Sequence, residues 1–169
     1  DSLKQVFELL KPTVKGRLIH VGGATGDRDT TKRPILGALA GQYADIAIVT
    51  DEDPGSEDPL DIINAVAEGV RRGRQPGRIR RHSAGDTPGV AERLSRSERG
   101  GKGTNRTVEG EDLFIVPDRR DAIAKALELA QPGDCVLITG KGHEEVMVTK
   151  TGFVPFSDRK IVAELLEHR

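Results

Sequence analysis

The chain has 169 residues, 36% of them apolar and 31% charged, with a formal net charge of −1. That length suits one domain with a core of its own, and the balance is that of a globular protein rather than a disordered or fibrous one. No apolar run nears the roughly 20 residues of a membrane span, no signal-peptide pattern is present, and a single cysteine, Cys135, excludes a disulfide framework.

A cytoplasmic protein with no membrane partner is therefore expected. Cys135 lies in the apolar run "CVLIT" and is read as a small core side chain. Aromatics make up only 3%, so Val, Ile, Leu and Ala must build the core. The chain starts with Asp and its only methionine is Met147, so a piece of a longer protein is expected.

In chain order, "DSLKQVFELLK" predicts a helix. Ser2 and Gln5 form a capping box, Leu3, Val6, Phe7 and Leu10 share a face, and Pro12 ends it. "RLIHVGGA" predicts a buried strand running into a glycine turn. "KRPILGALAGQYA" predicts a helix with Pro34 in its first turn and Ile35, Leu36, Leu39 and Tyr43 facing inward. A second buried strand, "DIAIVT", precedes a helix capped by Asp58, with Pro59 first and Ile62, Ile63, Val66 and Val70 as its stripe. Residues 71–106 hold 11 Lys or Arg against 3 Asp or Glu, a local +8, while the remainder carries 15 basic and 24 acidic residues, −9. Rich in Gly, Ser and Arg and without apolar period, residues 74–108 are expected to form a mobile basic insertion. Then follow the strand "DLFIVPD", the helix "RRDAIAKALELA", the strand "DCVLITG", the hairpin-like "VMVTKTGFVPF", and a last helix, "SDRKIVAELLEH", with Ser157 as cap.

Short apolar strands alternating with helices predict an α/β fold. It is Rossmann-like, a mainly parallel sheet with helices on both faces, and the hairpin suggests one antiparallel edge strand. Ligands in such folds bind beyond the carboxyl ends of the strands. Three loops leave those ends: "GGATGDRDTTKRP", "TDEDPGSEDP" and "TGKGHEE". The first is neither a Walker A loop nor a dinucleotide fingerprint. It offers Arg28, whose fork suits a carboxylate or phosphate, with Lys32 in support, unless Arg28 simply pairs with Asp27. The second concentrates Asp51, Glu52, Asp53, Glu57 and Asp58 in a spacing that matches no calcium loop, so no metal site is expected. The third brings the backbone close to a ligand at Gly140 and Gly142 and adds Lys141, His143 and Glu144. Donors for carboxylates beside acceptors for ammonium groups are the requirements of an amino-acid site.

"GDRDTTKRP", "ADIAIVTDEDPGSEDP", "TGKGHE" and "PFSDR", in that order, resemble the carboxy-terminal domain of Mur ligases, most of all the MurE type, the tripeptide synthetases of peptidoglycan biosynthesis. The resemblance implies a three-domain, ATP-dependent ligase. In it ATP and Mg2+ are bound mainly by a central domain and the UDP-sugar by another, neither present in this chain. The chain's partners would be the amino-acid substrate and those two domains. No catalytic residue is implied for this domain alone, which would not act by itself. Arg28 matches the arginine that meets the amino-acid carboxylate, and Gly140 and Glu144 match the residues holding the amino-acid end. The family's D-N-P-R motif, which reads meso-diaminopimelate in many members, falls on Glu52, Asp53, Pro54 and Gly55 and keeps only the proline. The expectation is a diamino acid in third position, with L-lysine or L-ornithine favoured over meso-diaminopimelate.

The alternatives are a folylpolyglutamate or cyanophycin synthetase domain, a non-catalytic module gripping nucleic acid or another anion through the basic stretch, and a freestanding dinucleotide-binding domain. "GKGHE" and "DEDP" favour the MurE type. The lack of aromatics among the arginines disfavours nucleic acid, and the glycine spacing disfavours the dinucleotide.

Overall fold

The computed structural model describes residues 2–74 and 112–167; the expected basic insertion lies, apart from Arg74, outside the described residues. The elements run α1 (Ser2–Leu10), β1 (Leu18–Gly22), α2 (Lys32–Tyr43), β2 (Ile46–Val49), α3 (Pro59–Gly73), β3 (Leu113–Ile115), α4 (Arg119–Leu129), β4 (Cys135–Ile138), β5 (Val146–Thr149), β6 (Gly152–Pro155) and α5 (Asp158–Glu167). β1 to β4 form a parallel sheet in the order β3-β2-β1-β4, with Ile19 opposite both Ile46 and Val136.

Successive strand residues serve opposite faces, as a two-residue period demands. Leu18, Ala47, Val49, Leu113 and Ile115 join Phe7, Ile62, Val66 and Val70 in a core under α1, α2 and α3. Ile19, Val21, Ile46, Ile48 and Phe114 join Ala122, Ile123, Ala126 and Ile161 in a second core under α4 and α5. Short-range signals set several helix starts. Asp58 accepts from the Leu60 amide at 2.9 Å with Pro59 in the first turn, and Asp118 accepts from the Asp121 amide at 2.9 Å. α1 begins at Ser2 itself, so Ser2 is a helical residue rather than the cap.

Two expectations change. Ile35 of α2 is 53% exposed, and the buried residues of that helix are Arg33, Gly37 and Ala40. The reason is glycine: a Cβ on Gly37 or Gly41 would strike the Val66 or Val70 carbonyl, and one on Gly69 or Gly73 would strike Pro34 or Ala38. The two helices meet backbone to backbone, and Leu36, Leu39 and Tyr43 pack only partly against the core. The antiparallel component also differs, since β5 and β6 form a sheet of their own instead of an edge strand of the parallel sheet. Val148 of β5 spends its backbone on the loop after β2, donating to the Asp53 carboxylate at 2.7 Å and accepting from the Gly55 amide at 3.2 Å.

Candidate functional site

The chain passes from β3 through α4 to β4, on the far side of β1, so the strand order reverses between β1 and β4. The loops leaving β1 and β4 part there, and the loop after β2 closes the cleft from the side. A cavity of about 400 Å³ opens at this point, lined by Gly23, Thr25, Arg28, Lys32, Glu52 and Gly140 among others, with Leu3 and Val6 of α1 as an apolar wall.

The loops after β1 and β2 are laced together. The Gly26 amide donates to the Asp53 carbonyl at 2.6 Å, and Thr25 bridges Asp53 in parallel fashion. Asp27 adopts φ 54° and clasps Ser56, accepting from its amide at 2.9 Å and its hydroxyl at 2.6 Å. The Asp27 amide donates to Glu57 Oε1 at 2.7 Å, which also accepts from Arg33 Nη2 at 2.7 Å. Asp27 is thus committed to Ser56 and does not pair with its neighbour. Arg28, exposed on the cavity, makes no ion pair or hydrogen bond among the described residues.

The loops after β2 and β4 are joined by a buried cation. Lys141 Nζ donates to both Asp53 carboxylate oxygens at 2.7 Å and to Glu144 Oε2 at 2.8 Å. Burial works against the Lys141 charge, but the hydrogen bonds and charges of Asp53 and Glu144 outweigh it and hold its pKa above the ordinary lysine value. Glu52 faces the cavity so close to Gly140, which has φ 110°, that a Cβ there would strike its carboxylate. Burial pushes the Glu52 pKa up to about 7, opposed by Arg119 and Lys141 and aided by Asp53 and Glu144.

Of the residues expected in the site, Arg28, Lys32, Glu52 and Gly140 come together on the cavity. Asp53, Lys141 and Glu144 form the ion cluster against which Glu52 titrates. Pro54 and Gly55 are buried, with Gly55 at φ 59° and its Cα against Asp27, and His143 is exposed. Asp53 therefore spends its carboxylate inside the protein, and Glu52 is the acid on the cavity wall. Among the described residues no group of three or more His, Cys, Asp or Glu side chains could hold a metal ion. No helix of the described chain is long and apolar enough to cross a membrane.

Sequence reasoning missed Arg119 and His20. Arg119 is fully buried and pairs with Asp158 through Nε at 2.8 Å and Nη2 at 2.7 Å. A signal was there: a cation in the first turn of a helix opposes the helix dipole and calls for a reason. His20, inside the apolar run of β1, shares a 2.8 Å hydrogen bond with the Thr139 hydroxyl and meets Phe7 edge-on at 5.1 Å. Burial, with the nearby Arg119 charge, lowers its pKa to about 4.

The parallel sheet, with helices on both faces, carries a charged cleft at its topological switch point, the place where folds of this kind bind small ligands. The chain belongs to the Mur ligase family: residues 1–142 match the family described as "Mur ligase, glutamate ligase domain". It is 33% identical over 167 residues to the UDP-N-acetylmuramoyl-L-alanyl-D-glutamate–2,6-diaminopimelate ligase of Clostridium botulinum, covering 99% of this chain and 27% of that one. It is 34% identical over 168 residues to the UDP-N-acetylmuramyl-tripeptide synthetase of Roseiflexus sp., covering 97% and 27%. A solved UDP-N-acetylmuramoyl-L-alanyl-D-glutamate–2,6-diaminopimelate ligase superposes with a TM-score of 0.69 at 28% identity, again over 99% of this chain and 27% of that one. The chain spans about a quarter of the length of the curated relatives it matches.

Proposed function

We propose that this chain is the amino-acid-receiving domain of a MurE-type ligase. The whole protein would use ATP and Mg2+, held mainly by a central domain, to activate the terminal carboxylate of UDP-N-acetylmuramoyl-L-alanyl-D-glutamate. The amine of a third-position diamino acid, seated here, would then attack it. The part played by this domain is positioning and charge neutralisation. Arg28 takes the carboxylate of the incoming amino acid, with Lys32 beside it, and Gly140 lets the substrate approach the backbone. Glu52 and Glu144 supply acceptors for ammonium groups.

The observation that carries the choice of amino acid is the charge count around Glu52. Three carboxylates, Glu52, Asp53 and Glu144, meet two cations, the ammonium of Lys141 and the guanidinium of Arg119, and Arg119 is already paired with a fourth carboxylate, Asp158. Position 55, which the resemblance sets against the arginine of the D-N-P-R motif, is a glycine at φ 59° where a Cβ would strike Asp27. A second substrate carboxylate would meet a net negative wall, whereas a bare ammonium would be attracted. We therefore propose L-lysine or L-ornithine over meso-diaminopimelate. The test is a competition among the three, using full-length enzyme, Mg-ATP and the UDP-dipeptide. Preferential incorporation of lysine or ornithine is expected. Faster addition of diaminopimelate would overturn the charge argument, and addition of no diamino acid would overturn the functional reading.

A further inference from the structure

Arg119 touches none of the cavity, yet it joins the two loops that line it. Its Nη1 donates to the Asp51 carbonyl at 3.1 Å, and its Nη2 donates to the Thr139 carbonyl at 2.7 Å. Asp51 immediately precedes Glu52, and Thr139 immediately precedes Gly140. The remaining donors grip Asp158 of the "PFSDR" segment, itself buried, so the fork is fixed from behind by the first turn of α5. Thr139 is held on its other side by His20.

We infer that Arg119, locked by Asp158, is the positioning residue of the amino-acid site, fixing the gap between Glu52 and Gly140. This rests on the cavity being that site. A planar guanidinium can serve a carboxylate on one side and two carbonyls on the others, in fixed directions, whereas an ammonium on a flexible stem cannot. The site needs such a device because Glu52 packs directly on the Gly140 Cα, where a shift of either loop changes both the opening and the charge distances. It also gives the "PFSDR" segment, remote in sequence from the cavity, a part in the site.

Arg119 leaves an electrostatic trace as well. Its charge opposes the rise in the Glu52 pKa, alongside Lys141 and against Asp53 and Glu144. Replacing Arg119 by Lys keeps a cation but loses the fork, and Asp158→Asn keeps the fork but loosens its anchor.

The test uses full-length enzyme with its favoured diamino acid. Arg119→Lys is expected to raise KM for the amino acid by about tenfold or more while leaving KM for ATP and for the UDP-dipeptide within about twofold. Asp158→Asn should show the same selective rise, smaller in size. Arg119→Met should in addition move the Glu52-dependent limb of the amino-acid KM profile to higher pH, a shift that a purely structural role would not produce. Should the Arg119 variants fail to fold, Asp158→Asn carries the same KM comparison. An unchanged amino-acid KM, or an equal rise for all three substrates, overturns the inference. Wild-type enzyme that ligates no diamino acid would overturn the functional reading instead.

Discussion

Glu52 and His20 shift in opposite senses, and the signs have a measurable consequence. The folded protein holds the Glu52 proton up to about pH 7, so that contribution to stability is full below the ordinary glutamate pKa of 4.5 and is lost as pH rises to 7. The folded protein refuses a proton on His20 down to about pH 4, so its contribution is full above 6.5 and is lost as pH falls to 4. Each is worth on the order of 3 kcal/mol across its window, and the two slopes cancel between them. Urea unfolding of the domain from pH 4.5 to 6.5 is expected to show a nearly flat midpoint. Glu52→Gln should expose the His20 slope, with the midpoint falling as pH drops; a flat profile in that variant would contradict the assignment. Lys141 is a third case. Lys141→Met leaves Asp53 without its ion-pair partner and should cost about 3–5 kcal/mol in the same measurement.

Among elements, the α2–α3 contact and the loop after β2 make the sharpest expectations. Gly37→Ala puts a methyl group against the Val66 carbonyl and should destabilise by about 1–3 kcal/mol as the helices separate. Ile35→Ser on the same helix should stay within about 0.5 kcal/mol, because Ile35 is exposed. Amphipathic periodicity gives the reverse order, since it reads a large apolar side chain as buried and does not register a face made of backbone. In the loop after β2, Gly55→Arg would force a side chain onto φ 59° and displace Asp27 from Ser56. A loss of at least about 1 kcal/mol is expected, with no gain of diaminopimelate addition from that change alone, read by thermal melts and by the competition assay. The helix cap at Asp58 was legible because a cap acts over three residues.

At the scale of the molecule, apolar cores on both faces of one sheet support folding as a single cooperative unit. The 169-residue chain is expected to unfold in one transition and to show no ATP turnover, since it contains no Walker A loop; an ATPase assay beside full-length enzyme checks this. The order of strands and helices, the two-sided burial and the three loops at the strand ends all followed from the sequence. Each depends on a period, a cap or a turn within a few residues. The pairing of charges did not. Lys141 meets Asp53 across 88 residues and Arg119 meets Asp158 across 39, and Asp27 turns to Ser56 instead of to its neighbour Arg28. Those partners are set by distance through space, which the reversal of strand order at β1 and β4 creates. The sequence by itself determined which loops gather at the strand ends around the cavity. Only the tertiary structure decided which of their charges are neutralised within the protein and which, Arg28 and Glu52, face the cavity, because Coulomb interactions follow separation and burial rather than position in the chain.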